Sequence, residues 1–378
     1  MRTTGTHSAQ PEESTAETVQ LDRIPPWSWL APCLGWALLV LQFSGLAGNA
    51  AVPLLLTAVV LLGGSVFSAV HHAEVIALKV GEPFGSIVLA LSVTIIEVAL
   101  IFSLMLSGGE GTETLARDTV FATVMIVLNG IVGLALVIGG ARHAEQAFRV
   151  QGASAALSVL GTVAVISLVL PNYTLEVAGP FYAPIQLGII GALSIALYGI
   201  FLFVQTIRHR DYFLVSTDVA PVHALPTTRT ALKSLGLLLV ALIAVVLLAK
   251  MLAYPLETAV LGAGLPISLV GVVIAIVVLL PEGIAAVRAA GANQLQTSLT
   301  LALGSAIATI SLTIPIVAFA AIALQRPLAL GLNPEETVLL TLSLFISTIT
   351  LATGRSTILQ GAVHLVIFAV FILLSVRP

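Results

Sequence analysis

Two glutamates, Glu97 and Glu282, each lie inside a long apolar run of a 378-residue chain. A charge at the centre of a bilayer costs about 2.5–3.5 kcal/mol or more, and ionisable residues there mark functional sites by default. Desolvation disfavours the charged form of a carboxylate. Such a group holds a proton or a cation, and competition between the two for one site is the chemistry of exchange. Hard cations prefer oxygen ligands, Ca²⁺ taking about six to eight. Two glutamates with hydroxyls, carbonyls and water supply them. Ser86 and Thr94 fall on the Glu97 face; Ser298, Ser305 and Thr309 share another, as do Ser343, Ser347 and Thr350. Asn129 is the strongest polar residue inside its own run. Thr94, Asn129, Ser305 and Thr309 are therefore expected as supporting ligands to a cation held by Glu97 and Glu282. His71, His72 and Glu74 stand at the cytoplasmic end of a run, candidates for gating or pH sensing because histidine titrates near neutrality; solvated interfacial side chains are the plainer reading. His364 reads as a packing residue, and Lys250 and Glu257 as a pair flanking a loop.

The elements that hold these residues follow from composition. The chain is 58% hydrophobic and 9% charged, where soluble domains carry roughly 25% charged residues. Its mean hydropathy is +1.11, so lipid is the solvent for most of it. The net charge of −3 gives no ground for a nucleic-acid partner, and the single cysteine, Cys33, excludes an internal disulfide and a thiolate metal site. No cofactor is expected; the partners are inorganic cations, protons and the bilayer, and no oligomeric state follows. Residues 1–26 are polar and read as a disordered cytoplasmic tail.

Eleven apolar stretches are long enough to span, at about 20 residues each. Helices are predicted, because lipid cannot satisfy an exposed backbone. The fold class expected is an all-α membrane protein: a peripheral helix over 27–47, a five-helix repeat over 48–206, a cytoplasmic linker over 207–230 and a second five-helix repeat over 231–378. An odd number of helices per half makes the second half enter from the opposite side, an inverted repeat. The glutamates fall on the third stretch, Pro83–Leu106, and the eighth, Leu265–Ala289, the second helix of each half. Pro281 before Glu282 predicts a kinked or interrupted helix there. Assigned to the nearest loop, the 15 basic residues fall eleven on the N-terminal side and four (Arg117, Lys250, Arg326 and Arg377) on the other. That bias predicts an N-terminus in the cytoplasm and a C-terminus in the periplasm of a bacterial inner membrane.

The run Gly81-Glu82-Pro83-Phe84-Gly85-Ser86 followed by Glu97 resembles the first α-repeat of the calcium/cation antiporter superfamily. Pro281-Glu282-Gly283, Asn293 and Leu303-Gly304-Ser305-Ala306 resemble the second. The spacings, with Gly139-Gly140, Gln146, Phe148 and Gly354-Arg355-Ser356, look like the cation/proton exchanger branch, most of all bacterial calcium (sodium, potassium)/proton antiporters of the ChaA type, over roughly residues 60–378. The resemblance implies eleven helices, inverted repeats, a cation site shared by Glu97 and Glu282, and a link of Glu74 and Glu82 to a mobile second helix and its cytoplasmic mouth. Many members carry a Gly-Asn-Ala-(Thr/Ala)-Glu run in both repeats; here Thr94 and Leu279 replace the asparagines, which leaves fewer amide oxygens and room for Na⁺ or K⁺.

The activity expected is secondary antiport, not enzymatic: cytoplasmic Ca²⁺, with Na⁺ and K⁺ as further cargo, exchanged for external protons by alternating access. The second reading is a monovalent Na⁺/K⁺ antiporter with little calcium activity; a channel and an intramembrane hydrolase are more remote. The sequence has no Gly-x-Ser-Gly, Gly-x-Gly-Asp or His-Glu-x-x-His run to support a hydrolase.

Overall fold

A computed structural model describes residues 24–44, 52–81, 84–105, 113–213 and 225–377. Most of the expected tail, and Glu82, lie outside the described residues; so does the side chain of Ser86. The apolar runs form helices: α1 Pro26–Phe43, α2 Val52–Val80, α3 Phe84–Met105, α4 Leu115–His143, α5 Val150–Tyr173, α6 Pro184–Arg208, α7 Thr228–Gly262, α8 Ser268–Gly291, α9 Leu295–Leu324, α10 Pro334–Ala352 and α11 Ile358–Val376. Among the described residues nine helices, α2 and α4 to α11, are long and apolar enough to cross a membrane; α1 and α3 complete the eleven. The chain is an all-α, multi-pass membrane protein.

Local chemistry sets several ends. Proline opens α1, α6 and α10, where its missing N–H is not needed. Glu336 reaches back to the backbone N–H of Asn333 at 3.0 Å, and Gln360 to that of Thr357 at 2.8 Å, satisfying donors that a helix start leaves free. Inside α5, a π-turn at Val165–Val169 accompanies a hydrogen bond from the Tyr182 hydroxyl to the Ile166 carbonyl at 2.5 Å. Tyr182 lies between spans, and burial pushes its phenol up to about 12, so it stays a donor at physiological pH.

Contacts between the halves come in pairs. Helix α3 packs on α9 as α8 packs on α4; α6 packs on α9 as α11 packs on α4; α2 and α7 lie against each other, flanked by α1. A glycine lies in each of the outer pairings, and only that of α11 is too close for a side chain. A Cβ at Gly191 of α6 would meet Pro315 of α9, and one at Gly361 of α11 would meet the Val137 backbone of α4 at 2.6 Å. The loops repeat the arrangement at the two ends. At one end β1 (Gln146–Ala147) pairs antiparallel with β2 (Arg355–Ser356), Gln146 opposite Ser356. At the other, Leu330 and Gly331 donate to the Pro180 carbonyl and Leu332 to that of Leu168. This is the geometry of inverted halves locked together at both ends.

Two expectations fail locally. Helix α7 runs 35 residues, so Lys250 and Glu257 lie inside it and flank no loop. Among the described residues the ion pairs are Arg117–Asp118 and Arg355–Glu145, and Lys250 and Glu257 do not form one. The apolar residues beyond Ala253 carry the helix through Pro255, which removes one backbone hydrogen bond without ending it. Likewise Pro281 does not interrupt α8, which is continuous from Ser268 to Gly291. The linker is shorter than 207–230: α6 extends to Arg208, a 3₁₀ turn holds Arg210–Tyr212, and Thr227 caps α7 by accepting from the Thr230 N–H at 3.2 Å.

Candidate functional site

Glu97 projects from α3 and Glu282 from α8, and both are buried, 2% and 7% exposed. Each comes from a different half, and the crossed packing of α3 on α9 and α8 on α4 carries them toward one another. Glu282 lies within electrostatic reach of both Glu97 and Glu74. The Thr313 hydroxyl of α9 donates to Glu97 Oε2 at 2.9 Å, and Thr309 lies one turn earlier on the same helix. Glu97 Oε1 and Glu282 Oε2 are buried with no protein partner. Buried polar groups are nearly always hydrogen-bonded, so each bare carboxylate oxygen is left for a proton or a ligand to satisfy.

A cavity of about 440 Å³ leads to this point. Its walls come from the first half of α3, the last turns of α6 and the first half of α9; Glu282, Thr94, Ser305 and Thr309 lie at its deep end, Gln205 and Arg210 near the linker. Glu97 does not line it; Thr309, one turn from the Thr313 that bonds Glu97, does. A Cβ at Gly304 would meet nothing within 4 Å, and this bare turn of α9 is part of the open space. At the opposite end a smaller cavity, about 70 Å³, is bounded by the starts of α4, α8 and α10 and the end of α11. Its α4, α8 and α11 walls are the counterparts, by exchange of halves, of the α9, α3 and α6 walls of the larger one. Arg117 lines it, and its guanidinium pairs with Asp118 at 2.7 Å and donates to the Gly331 carbonyl at 3.0 Å.

The remaining candidates divide. Glu74 is exposed on α2 and does not line the cavity. His71 and His72 instead face α1: the His71 ring lies 5.2 Å from Trp27, and His72 Nε2 is 3.2 Å from the Ser28 carbonyl. Neither lines the cavity. Asn129 sits in a π-turn of α4, Ile126–Ile131, and its amide donates to Ser343 Oγ at 2.8 Å while its oxygen meets His364 Nδ1 at 3.1 Å. His364 Nε2 in turn lies 3.2 Å from Thr350 Oγ1. The hydrogen bonds of Asn129 thus run to α10 and α11 and not to the glutamates, and Ser343 and Thr350 serve this network. Thr313 was not among the expected ligands; the four-residue spacing Ser305, Thr309, Thr313 places it on their face of the helix and is the signal that finds it. Among the described residues no group of three or more His, Cys, Asp or Glu is placed to hold a metal ion, so any cation here rests on two carboxylates and neutral oxygens.

Known proteins resemble this chain in sequence and in fold. The model of the sodium/calcium exchanger protein family matches residues 50–207 and 233–377. A Sinorhizobium fredii chain, y4hA, named as an ionic transporter, is 56% identical over 95% of this chain and 98% of its own. The sodium-potassium/proton antiporter ChaA of Escherichia coli is 36% identical, over 95% of this chain and 99% of its own. The solved structure of native YfkE superposes with a TM-score of 0.72 at 18% identity, covering 93% of this chain and all of that one, which shows the fold. With its halves matched across both α-repeats and its length matched to antiporters throughout, the chain belongs to the sodium/calcium exchanger family and is a cation transporter of the membrane.

Proposed function

We propose that the chain exchanges cytoplasmic Ca²⁺, and also Na⁺ or K⁺, for external protons at a site made by Glu97 and Glu282. The observation that carries this is the pair of bare oxygens, Glu97 Oε1 and Glu282 Oε2, buried in the bilayer-spanning core where one of the two carboxylates meets a cavity. A cation enters from the linker end, loses water against Glu282, Ser305 and Thr309, and draws in Glu97. Binding removes the protons that otherwise neutralise the pair. Cation affinity therefore rises with pH and falls as protons reclaim the carboxylates. With Arg142, Arg149, Arg208, Arg210 and Arg355 all near the linker end, that end faces the cytoplasm of a bacterial inner membrane, and the cavity is open inward. The smaller cavity under Arg117 is the closed outward path, and α2 with α7 moves against the rest to exchange the two.

The monovalent reading has its own support. The carboxylates are joined by hydroxyls and not by amides, and the ChaA relative is named for sodium, potassium and protons. Both readings use the same two glutamates. In everted vesicles, wild-type protein should dissipate a proton gradient when Ca²⁺, Na⁺ or K⁺ is added, and the order of half-saturating concentrations ranks the cations. Glu97→Gln and Glu282→Gln should each abolish the response with protein levels unchanged. Full cation-driven flux in either variant would refute the site.

A further inference from the structure

The cavity is larger and more apolar than the path of an inorganic cation requires. A cation with six waters fills roughly 200 Å³ at about 30 Å³ per water, less than half of the space of about 440 Å³. Small-molecule sites occupy about 300–1,000 Å³, are mostly apolar and aromatic, and carry a few placed polar groups. This cavity has that form. Its walls are apolar over most of their length, with Tyr198, Phe201, Leu202 and Phe213 from α6 and the segment after it, and Val93 and Leu301 opposite. Its deep end is polar and acidic: Glu282, more than nine-tenths buried, lines it beside Thr94, Ser305 and Thr309. Its outer rim carries the opposite sign, Arg210. The lining on α9 runs from Thr297 to Thr309, which at 1.5 Å per residue is roughly 18 Å of depth.

We propose that this cavity binds amphiphilic organic cations, a quaternary ammonium head at Glu282 and an alkyl chain among Tyr198, Phe201 and Leu202, and that such molecules block exchange from the linker side. The acidic end fixes the direction of entry, head first. Arg210 at the rim disfavours a second positive charge on the outer end of the chain. The proposal rests on the reading of Glu282 as the cation site, and the test below separates the two.

The probes are alkyltrimethylammonium salts from butyl to octyl. They carry no proton to lose, so they cannot collapse a pH gradient as weak bases do. Binding is read as the rise in thermal unfolding temperature of purified protein in lipid nanodiscs, which a ligand of the folded state produces by mass action. Inhibition is read as cation-driven proton flux, in everted vesicles and in right-side-out ones. Affinity should strengthen about three- to fourfold for each added methylene, from about 0.8 kcal/mol per buried CH₂. Block should appear with the probe on the linker side only. The uncharged tert-butyl analogue and the bis-quaternary analogue should each bind at least tenfold more weakly. Phe201→Ala should flatten the dependence on chain length, and Glu282→Gln should remove the preference for the charged head. Chain-length dependence that persists unchanged in both variants, or equal block from both faces, would mean the salts act through the bilayer and would overturn the site. If the salts bind wild type but not Glu282→Gln, and that variant still exchanges Ca²⁺ for protons, the ammonium site stands and the exchange reading falls. If wild type exchanges but binds no ammonium, the ammonium site falls alone.

Discussion

At the scale of residues, the two glutamates stand out in the sequence because a carboxylate is rare inside a mostly apolar run. The hydroxyls stand out less. In an apolar helix a serine or threonine usually bonds its own helix one turn back, as Thr94 does to Ala90 at 2.8 Å. Which hydroxyl breaks that habit depends on what packs opposite. Thr313 does so because α3 brings Glu97 against it, and Asn129 is drawn elsewhere because α10 and α11 bring Ser343 and His364. A hydrogen bond to a charged partner is worth about 1.5–3 kcal/mol. Thr313→Val keeps the shape and removes the donor, so the half-saturating cation concentration should rise about tenfold, with Thr313→Ser restoring most of it. Unchanged transport kinetics in Thr313→Val would show that the contact with Glu97 has no part in cation binding.

At the scale of elements, the number and order of helices followed from apolar run length, and the inverted halves from an odd helix count on each side of a polar linker. One end did not follow, because α7 continues through Pro255, and α8 runs uninterrupted through Pro281; a single lost backbone bond does not outweigh the lipid's demand that every other one be kept. The π-turn of α4 was invisible too, since it is set by Asn129 meeting side chains from helices more than 200 residues away. Glycine carries the closest approaches, and two glycines differ in a way that can be measured. At Gly361 a Cβ would strike the Val137 and Gly133 backbone at 2.6 and 2.7 Å, whereas at Gly304 it enters open space. Gly361→Ala should destabilise by about 1–3 kcal/mol, as overpacked sites do, and lower the unfolding temperature in detergent. Gly304→Ala should leave that temperature unchanged. The reverse order would mean that α4 and α11 are not packed as described.

At the scale of the whole molecule, the proposed function makes the larger cavity at the linker end and the smaller one at the other two mouths of one route, of which one is open. Composition and motifs say nothing of which side stands open, because that is a balance between two packings of the same sequence. On the same proposal the Arg117–Asp118 pair and its bond to Gly331 close the outer mouth. Breaking a buried pair by removing one partner costs about 3–5 kcal/mol, so Arg117→Ala should release this closure. In a Cys33→Ser background, Val272→Cys, on the wall beneath Arg117, should resist an impermeant thiol reagent added from the outer side and react readily once Arg117→Ala is added. Equal labelling in both proteins would place the closure elsewhere. On the proposed function, metal and proton contend for one pair of carboxylates. Calorimetric titration of the purified protein with Ca²⁺ in two buffers of different ionisation enthalpy counts the protons displaced per cation bound. Wild-type protein should release protons as it binds, and Glu97→Gln with Glu282→Gln should abolish both heats. Cation binding without proton release, or binding that survives in the doubly substituted protein, would contradict it.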